Sequence, residues 1–199
     1  METLIAIDKQ LFFLINGWHS PFWDFIMFWL SDKLIWIPLY VVFLMLLIRY
    51  YKWQTVIIML FVAILMTLSD QISVDLFKNI FHRLRPCHDP EMSGLVHLVK
   101  DRCGGQYGFV SSHATNHFAI AVFLVFFLGS KMRYFTPLVL FWAAIIGYSR
   151  IYLGAHFPGD VICGALLGST LGVVLALMCR MVLARISLKN RKTGNHKSQ

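Results

Sequence analysis

Cations, histidines and hydroxyls crowd into three short stretches of an otherwise apolar chain. The first holds Lys78, Arg83 and Arg85, the second Ser111, Ser112 and His113, and the third Ser149, Arg150, His156 and Asp160. Ionisable residues in or beside long apolar runs are costly, which makes each a candidate for function. Arg offers a planar fork of N–H donors that matches phosphate oxygens, while Lys acts as a point charge, so Lys78, Arg85 and Arg150 suit a phosphate. Ser111 and Ser112 fall where a helix N-cap belongs, and a helix N-terminus presents free backbone N–H groups to an anion. Histidines beside cations suit phosphoryl transfer, in which one attacks phosphorus and the other protonates the leaving oxygen. His156 and Asp160 stand four apart, on one face if helical. Asp160 can then keep one ring nitrogen protonated and leave the other free to attack.

The elements that must position these residues are membrane helices. Of 199 residues 58% are hydrophobic and 14% charged, against about 45–50% and 25% in soluble domains. Apolar runs at 34–48, 56–77, 114–128, 135–152 and 158–183 approach the ~20 residues that a span requires. Residues 4–18 place Leu4, Ile7, Leu11, Leu14, Ile15 and Trp18 at helical spacing, as in a helix lying in the membrane interface. Residues 22–30 are apolar but short, and read as a second interfacial piece, a re-entrant piece or the start of the first span. The expected fold is all-α, a polytopic transmembrane helix bundle of about five spans plus N-terminal interfacial helices. Residues 1–184 form one membrane domain, and 185–199 a basic, disordered cytoplasmic tail.

Charge sets the expected orientation. Arg49 with Lys52, Lys131 with Arg133, and the cluster from Arg180 to Lys197 all fall on one side of a five-span bundle, which should be cytoplasmic. The three polar stretches then gather on the outer face. The net charge of +8 is accounted for in this way, and no nucleic-acid motif accompanies it. The start, Met1-Glu2-Thr3, lacks the basic region of a cleavable signal, so insertion is expected to rely on the first span.

The polar residues resemble three motifs of the type 2 phosphatidic acid phosphatase superfamily, which shares its site with vanadium haloperoxidases. Lys78 followed after six residues by Arg85-Pro86 matches the first. Ser149-Arg150, five residues, His156, three residues and Asp160 match the third. Val110-Ser111-Ser112-His113 is similar to the second, Pro-Ser-Gly-His, but has Val for Pro and Ser for Gly. Ser112 would be strained there if a positive φ were needed. The resemblance implies His156 as nucleophile, Asp160 as the residue that orients it, and His113 as general acid. It implies Lys78, Arg85, Arg150 and Ser111 as phosphate ligands, with backbone N–H groups of Ser112 and His113. No metal or cofactor is implied.

The implied partners are a lipid phosphate and the membrane lipids, and the implied location is a bacterial inner membrane with the site facing outward. The small size and the N-terminal interfacial helix are similar to bacterial undecaprenyl pyrophosphate phosphatases, which makes that lipid the first expectation. Lipid A, phosphatidic acid and phosphatidylglycerol phosphate are alternatives, as are a phosphotransferase and a non-catalytic lipid binder.

Other residues read more simply. Arg83 lies outside the motifs and suits anionic headgroups. His113 and His117 have the spacing of zinc ligands, but Ala114 stands where a zinc protease has Glu. His82, His88 and His97 read as loop residues. Asp70 and Asp75 suit hydrogen bonding inside the bundle, with a helical ion pair from Asp75 to Lys78 as an option. A Cys87–Cys103 disulfide would close the outer loop, whereas Cys163 and Cys179 lie too far apart along one helix to pair.

Overall fold

The computed structural model describes residues 2–92, 94–100 and 103–195. Among these every regular element is helical, and the sole strand-like pairing is an antiparallel bridge between Leu84 and Tyr107. Two short helices open the chain, α1 (Glu2–Asn16) and α2 (Pro21–Ser31). The Ser20 hydroxyl caps α2 by accepting from Trp23 N, with Pro21 at the first helical position. The 11 residues of α2 rise only about 16 Å, half the ~30 Å hydrocarbon layer, so α2 does not cross. Asp32 Oδ1 accepts from Leu34 N at 2.8 Å and turns the chain into α3 (Ile37–Tyr51). Residues 22–30 therefore belong to a separate helix and not to the first span.

The apolar stretch Leu34–Phe81 is 48 residues long. It breaks at Lys52, where φ is +51°, and folds back as α4 (Thr55–Gln71). A π-helical segment, Ile72–Lys78, and the turn α5 (Asn79–Phe81) continue α4. Then come α6 (Ser112–Leu128), α7 (Phe135–Tyr152) and α8 (Pro158–Asn195). Leu34–Phe81, Phe135–Tyr152 and Pro158–Lys189 are long and apolar enough to cross a membrane, and Ser112–Leu128 is a shorter apolar helix. With the break at Lys52, this is the expected helical membrane bundle. α8 continues past Arg185 to Asn195, so residues expected in an unstructured tail extend the last helix instead. Residues 196–199 lie outside the described residues.

Trp142 anchors the core, with Trp36, Tyr40 and Phe43 edge-on to its ring at 5.7–5.9 Å. Tyr51, at the end of α3, donates to Phe127 O at 2.8 Å. That end of the bundle also gathers Lys131 and Arg180 around one cleft. Lys78, Ser112, Arg150 and Asp160 lie at the other ends of their helices, so the basic and motif-bearing ends are opposite.

α6 and α8 pack closest of all, through a stripe that the sequence reading missed. Gly164, Gly168 and Gly172 recur every fourth residue on α8. A Cβ on Gly168 would meet Thr115 O at 2.1 Å, and one on Gly164 would meet Ser111 O at 2.7 Å. Small residues at this spacing let two helix backbones touch. The approach seats α8 against the turn that carries Ser111, so the stripe serves the site as well as the bundle. Gly168→Ala should lower stability by about 1–3 kcal/mol, the range for overpacking a tight site. Thermal melting in detergent reads the loss, and Leu166→Ala on the exposed side should melt close to the wild type.

Candidate active site

Three segments converge at the motif-bearing end. Lys78 closes the π-helical segment and donates from Nζ to Ser112 Oγ at 2.8 Å. Ser112 Oγ also lies 2.8 Å from Ser73 Oγ. Ser112 is the first residue of α6 and is not among the positive-φ residues, so Ser in place of Gly carries no strain. Its hydroxyl instead accepts from Lys78 and holds that cation at the site. Val110 is fully buried, and Ser111, the N-cap residue, donates its N–H to Asp160 O at 3.0 Å.

Arg85 is carried by the loop after α5. Its N–H reaches Gln106 O at 3.1 Å, and Gly108 N reaches Arg83 O at 2.8 Å, so residues 83–85 pair with the approach to the second motif. Cys87 and Cys103 are disulfide-bonded with Cα atoms 6.0 Å apart. Next to Cys103, Gly104 has φ +94°, and a Cβ there would stand 3.5 Å from Arg85 Cζ. Glycine thus lets the backbone lie against the guanidinium.

Arg85 Nη1 stands 2.9 Å from His156 Nε2 and 3.1 Å from Ala155 O. A guanidinium can only donate, so Nε2 accepts and the proton of neutral His156 sits on Nδ1. Nδ1 faces Asp160 Oδ2 at 3.5 Å, within ion-pair range but longer than the hydrogen bond expected from the spacing. Asp160 is held more tightly elsewhere, by Phe157 N at 3.0 Å and by Arg83 Nη1 at 2.7 Å. Arg83 is therefore no headgroup-facing cation. It ties Asp160 to Asp8, whose Oδ2 is 2.6 Å from Nη2.

Lys78, Arg85, Ser112, His113, Arg150 and His156 line one cavity of about 230 Å³. Asp70, Gly104, Asn116, His117 and Lys33 complete its wall. Lys33 follows α2 and lies in no motif; nothing in its spacing marks it. Arg150 Nη1 donates to the Ser31 hydroxyl at the end of α2. His117 Nδ1 bonds His113 O at 2.7 Å and so stiffens the first turn of α6. His97 lies in a loop and pairs with Asp24 at 2.9 Å. Cys163 and Cys179 are unpaired.

Six buried side-chain polar atoms lack a partner among the described residues, and four of them, Arg85 Nε, Arg150 Nε, Ser111 Oγ and His156 Nδ1, belong to the motif residues. Buried donors rarely go without partners; Arg85 and Arg150 line the cavity, and an anion with several acceptor oxygens suits their Nε donors, whereas His156 Nδ1 is turned to Asp160. Burial, followed by the cations of Arg85, Arg150 and Lys78, holds the His156 pKa well below the ordinary imidazole value. His156 is therefore a neutral base with its Nε2 lone pair turned to the cations.

This arrangement defines a phosphate-handling membrane enzyme, and the comparisons agree. The chain belongs to the PAP2 superfamily, whose family model matches residues 59–184. It is an integral membrane lipid phosphatase, a hydrolase acting on phosphate esters. It is 35% identical over 189 residues to a lipid A 4'-phosphatase of Bacteroides thetaiotaomicron, covering 94% of this chain and 83% of that one. It is 34% identical over 175 residues to a lipid A 4'-phosphatase of Porphyromonas gingivalis, covering 86% and 72%. The fold matches the crystal structure of a PAP2-type phosphatidylglycerolphosphate phosphatase from Bacillus subtilis, with TM-score 0.67, 23% identity, and 92% and 89% of the two chains covered.

The buried neutral histidine has a measurable consequence. An unfolded imidazole takes up a proton as pH falls through about 6.5, and the folded one does not, so acid favours the unfolded chain. Between pH 7 and pH 5 the wild type should lose up to about 2 kcal/mol more stability than His156→Asn. Thermal midpoints of the two proteins across that range check the difference.

Proposed function

We propose that this protein removes phosphate from lipid A through a phosphohistidine on His156. The observation that carries the chemistry is Arg85 donating to His156 Nε2 at 2.9 Å, which fixes the reactive lone pair beside the phosphate-binding cations. In the first step Nε2 attacks phosphorus while Arg85 turns its donor to a phosphate oxygen. The P–O bond to the lipid breaks, and His113, which enters this step as the imidazolium that the bound phosphate's negative charge favours, gives its proton to the leaving oxygen. In the second step water attacks phosphorus, the P–N bond breaks, and His113 takes the water proton. The sum is lipid phosphate plus water giving lipid alcohol plus inorganic phosphate. Lys78, Arg85 and Arg150 stabilise the charge on the equatorial oxygens throughout.

A lipid substrate is supported by an apolar groove of about 340 Å³ between α3, α4 and α6, lined by Tyr40, Phe43, Leu47, Met59 and Leu124. The groove meets the site cavity at Lys33, Asn116 and His117. A further cavity of about 590 Å³ by Phe28, Lys33, His113, Arg150 and Leu153 gives room for a bulky headgroup. Lipid A, in place of the undecaprenyl pyrophosphate expected first, is favoured by the two lipid A 4'-phosphatases, each at least 34% identical over more than two thirds of both chains, since the motif residues serve either substrate. The opposed basic end supports an outward-facing site in a bacterial inner membrane.

The test is phosphate release in detergent with EDTA, from lipid A, undecaprenyl pyrophosphate, phosphatidic acid and phosphatidylglycerol phosphate. Lipid A should be hydrolysed fastest, and His156→Ala should lower the rate at least ~1,000-fold. Faster release from undecaprenyl pyrophosphate would sink the substrate assignment, and an active His156→Ala would sink the mechanism. In the same assay Lys33→Ala should raise KM about 3–10-fold with kcat little changed, as expected for a cation that binds substrate and transition state alike.

A further inference from the structure

α1 has two distinct faces. Outward, Leu4 and Leu14 are 72 and 63% exposed, as befits a helix against lipid. Inward stand Asp8, Phe12 and Asn16, spaced four apart and therefore stacked along one face. All three grip the segment that carries His156.

Asn16 Nδ2 donates to Tyr152 O at 2.7 Å and to His97 O at 2.9 Å, and Asn16 Oδ1 accepts from His97 N at 2.9 Å. The Phe12 ring lies edge-on to Phe157, centroids 5.5 Å apart. Asp8 Oδ1 accepts from Gly159 N at 2.7 Å, and Oδ2 accepts from Arg83 Nη2 at 2.6 Å. Arg83 carries the contact inward through Nη1 to Asp160 Oδ1 at 2.7 Å, with its guanidinium 4.3 Å over the Phe157 ring. A Cβ on Gly159 would stand 2.9 Å from Asp8 Oδ2, so the fit leaves little slack. Residues 152–159 are thus pinned near both ends by one helix, with the fully buried His156 between.

We propose that the inward face of α1 is a positioning clamp for His156, with Asp8 and Arg83 acting through Asp160 and the Gly159 backbone. This rests on His156 being the nucleophile. Asp8 and Arg83 touch no reacting atom, and their role is to hold the ring in line with phosphorus. Misplacement by about 1 Å can cost ~100-fold in rate. A network that merely docked α1 would not act on turnover. Lys9 separates the two possibilities, because it tethers the same helix to Asp89 and Glu91 at 3.1 Å each and lies off the inward face.

The experiment uses the full chain in detergent and whichever lipid of the panel above the wild type hydrolyses fastest. Asp8→Asn and Arg83→Gln should each lower kcat ~10–100-fold with KM within about 3-fold. The double variant should lose little more than the worse single, because both break one chain of contacts. Arg83→Lys keeps the charge but reaches a single carboxylate, and should fall between wild type and Arg83→Gln. Lys9→Ala should stay within about 2-fold. If Asp8→Asn does not fold, Arg83→Lys decides, and wild-type kcat in that variant overturns the clamp. Wild-type kcat in folded Asp8→Asn, a loss confined to KM, or an equal loss in Lys9→Ala also overturns it. Activity retained by His156→Ala would instead overturn the parent reading and leave the clamp without an object.

Discussion

One contact organises the site: Arg85 against His156 Nε2 in a buried pocket. A guanidinium beside an imidazole is unfavourable unless the imidazole is neutral and turns a lone pair to it, so the pair fixes both the protonation state and the tautomer. Much of the surrounding structure keeps that pair in place. The 83–85 and 106–108 segments hold the arginine backbone, Gly104 lies against its guanidinium, and α7 and α8 deliver the histidine at their junction. Bringing Lys78 and Arg150 to the same cavity concentrates like charge that Asp160 and Asp70 only partly offset. A dianionic oxygen-rich ligand complements this field, which is the electrostatic sense in which the pocket is organised before substrate arrives.

Much of this was legible in the sequence because cost leaves a trace. Charged residues flanking apolar runs are conspicuous, and their spacing gave the first and third motifs and the end of the bundle on which they gather. The length of the apolar runs marked the membrane spans. What stayed hidden depends on chain reversal. Arg83 sits two residues before Arg85 with no periodicity to mark its aim, and only the pairing of 83–85 with 106–108 turns it toward Asp160. Lys33 enters the cavity because α2 ends where it does, which no local pattern reveals. Ser112 looked like a defect at a glycine position, yet the helical start of α6 accepts any side chain, and its hydroxyl supports Lys78. The Gly164, Gly168, Gly172 stripe was legible in principle, since its spacing alone predicts close helix contact.

Rigidity is distributed unevenly and follows purpose. α6 and α8 meet backbone to backbone, so the two elements bearing Ser111 to His113 and Asp160 move as one body. α1 and α2 are short, lie outside the main core cluster, and reach the site through specific polar contacts: Asp8 to Arg83, Asn16 to Tyr152, and Ser31 to Arg150. Such contacts specify geometry with little buried area, and they place part of the site's alignment in helices whose other face meets lipid.

The groove beside α3 has a consequence for the economics of access. Extracting an acyl chain into water costs about 0.8 kcal/mol per methylene, a barrier that would dominate turnover for a long-chain substrate. A chain lying among Tyr40, Phe43 and Leu47 never leaves an oily surrounding while its phosphate reaches His156. On the proposed reading the encounter is two-dimensional: the protein samples neighbours in its own leaflet, and its rate follows the mole fraction of substrate among lipids, not the amount dispersed in the aqueous volume. The products part at the same boundary, one returning to the leaflet by sideways diffusion and the other dissolving away into water.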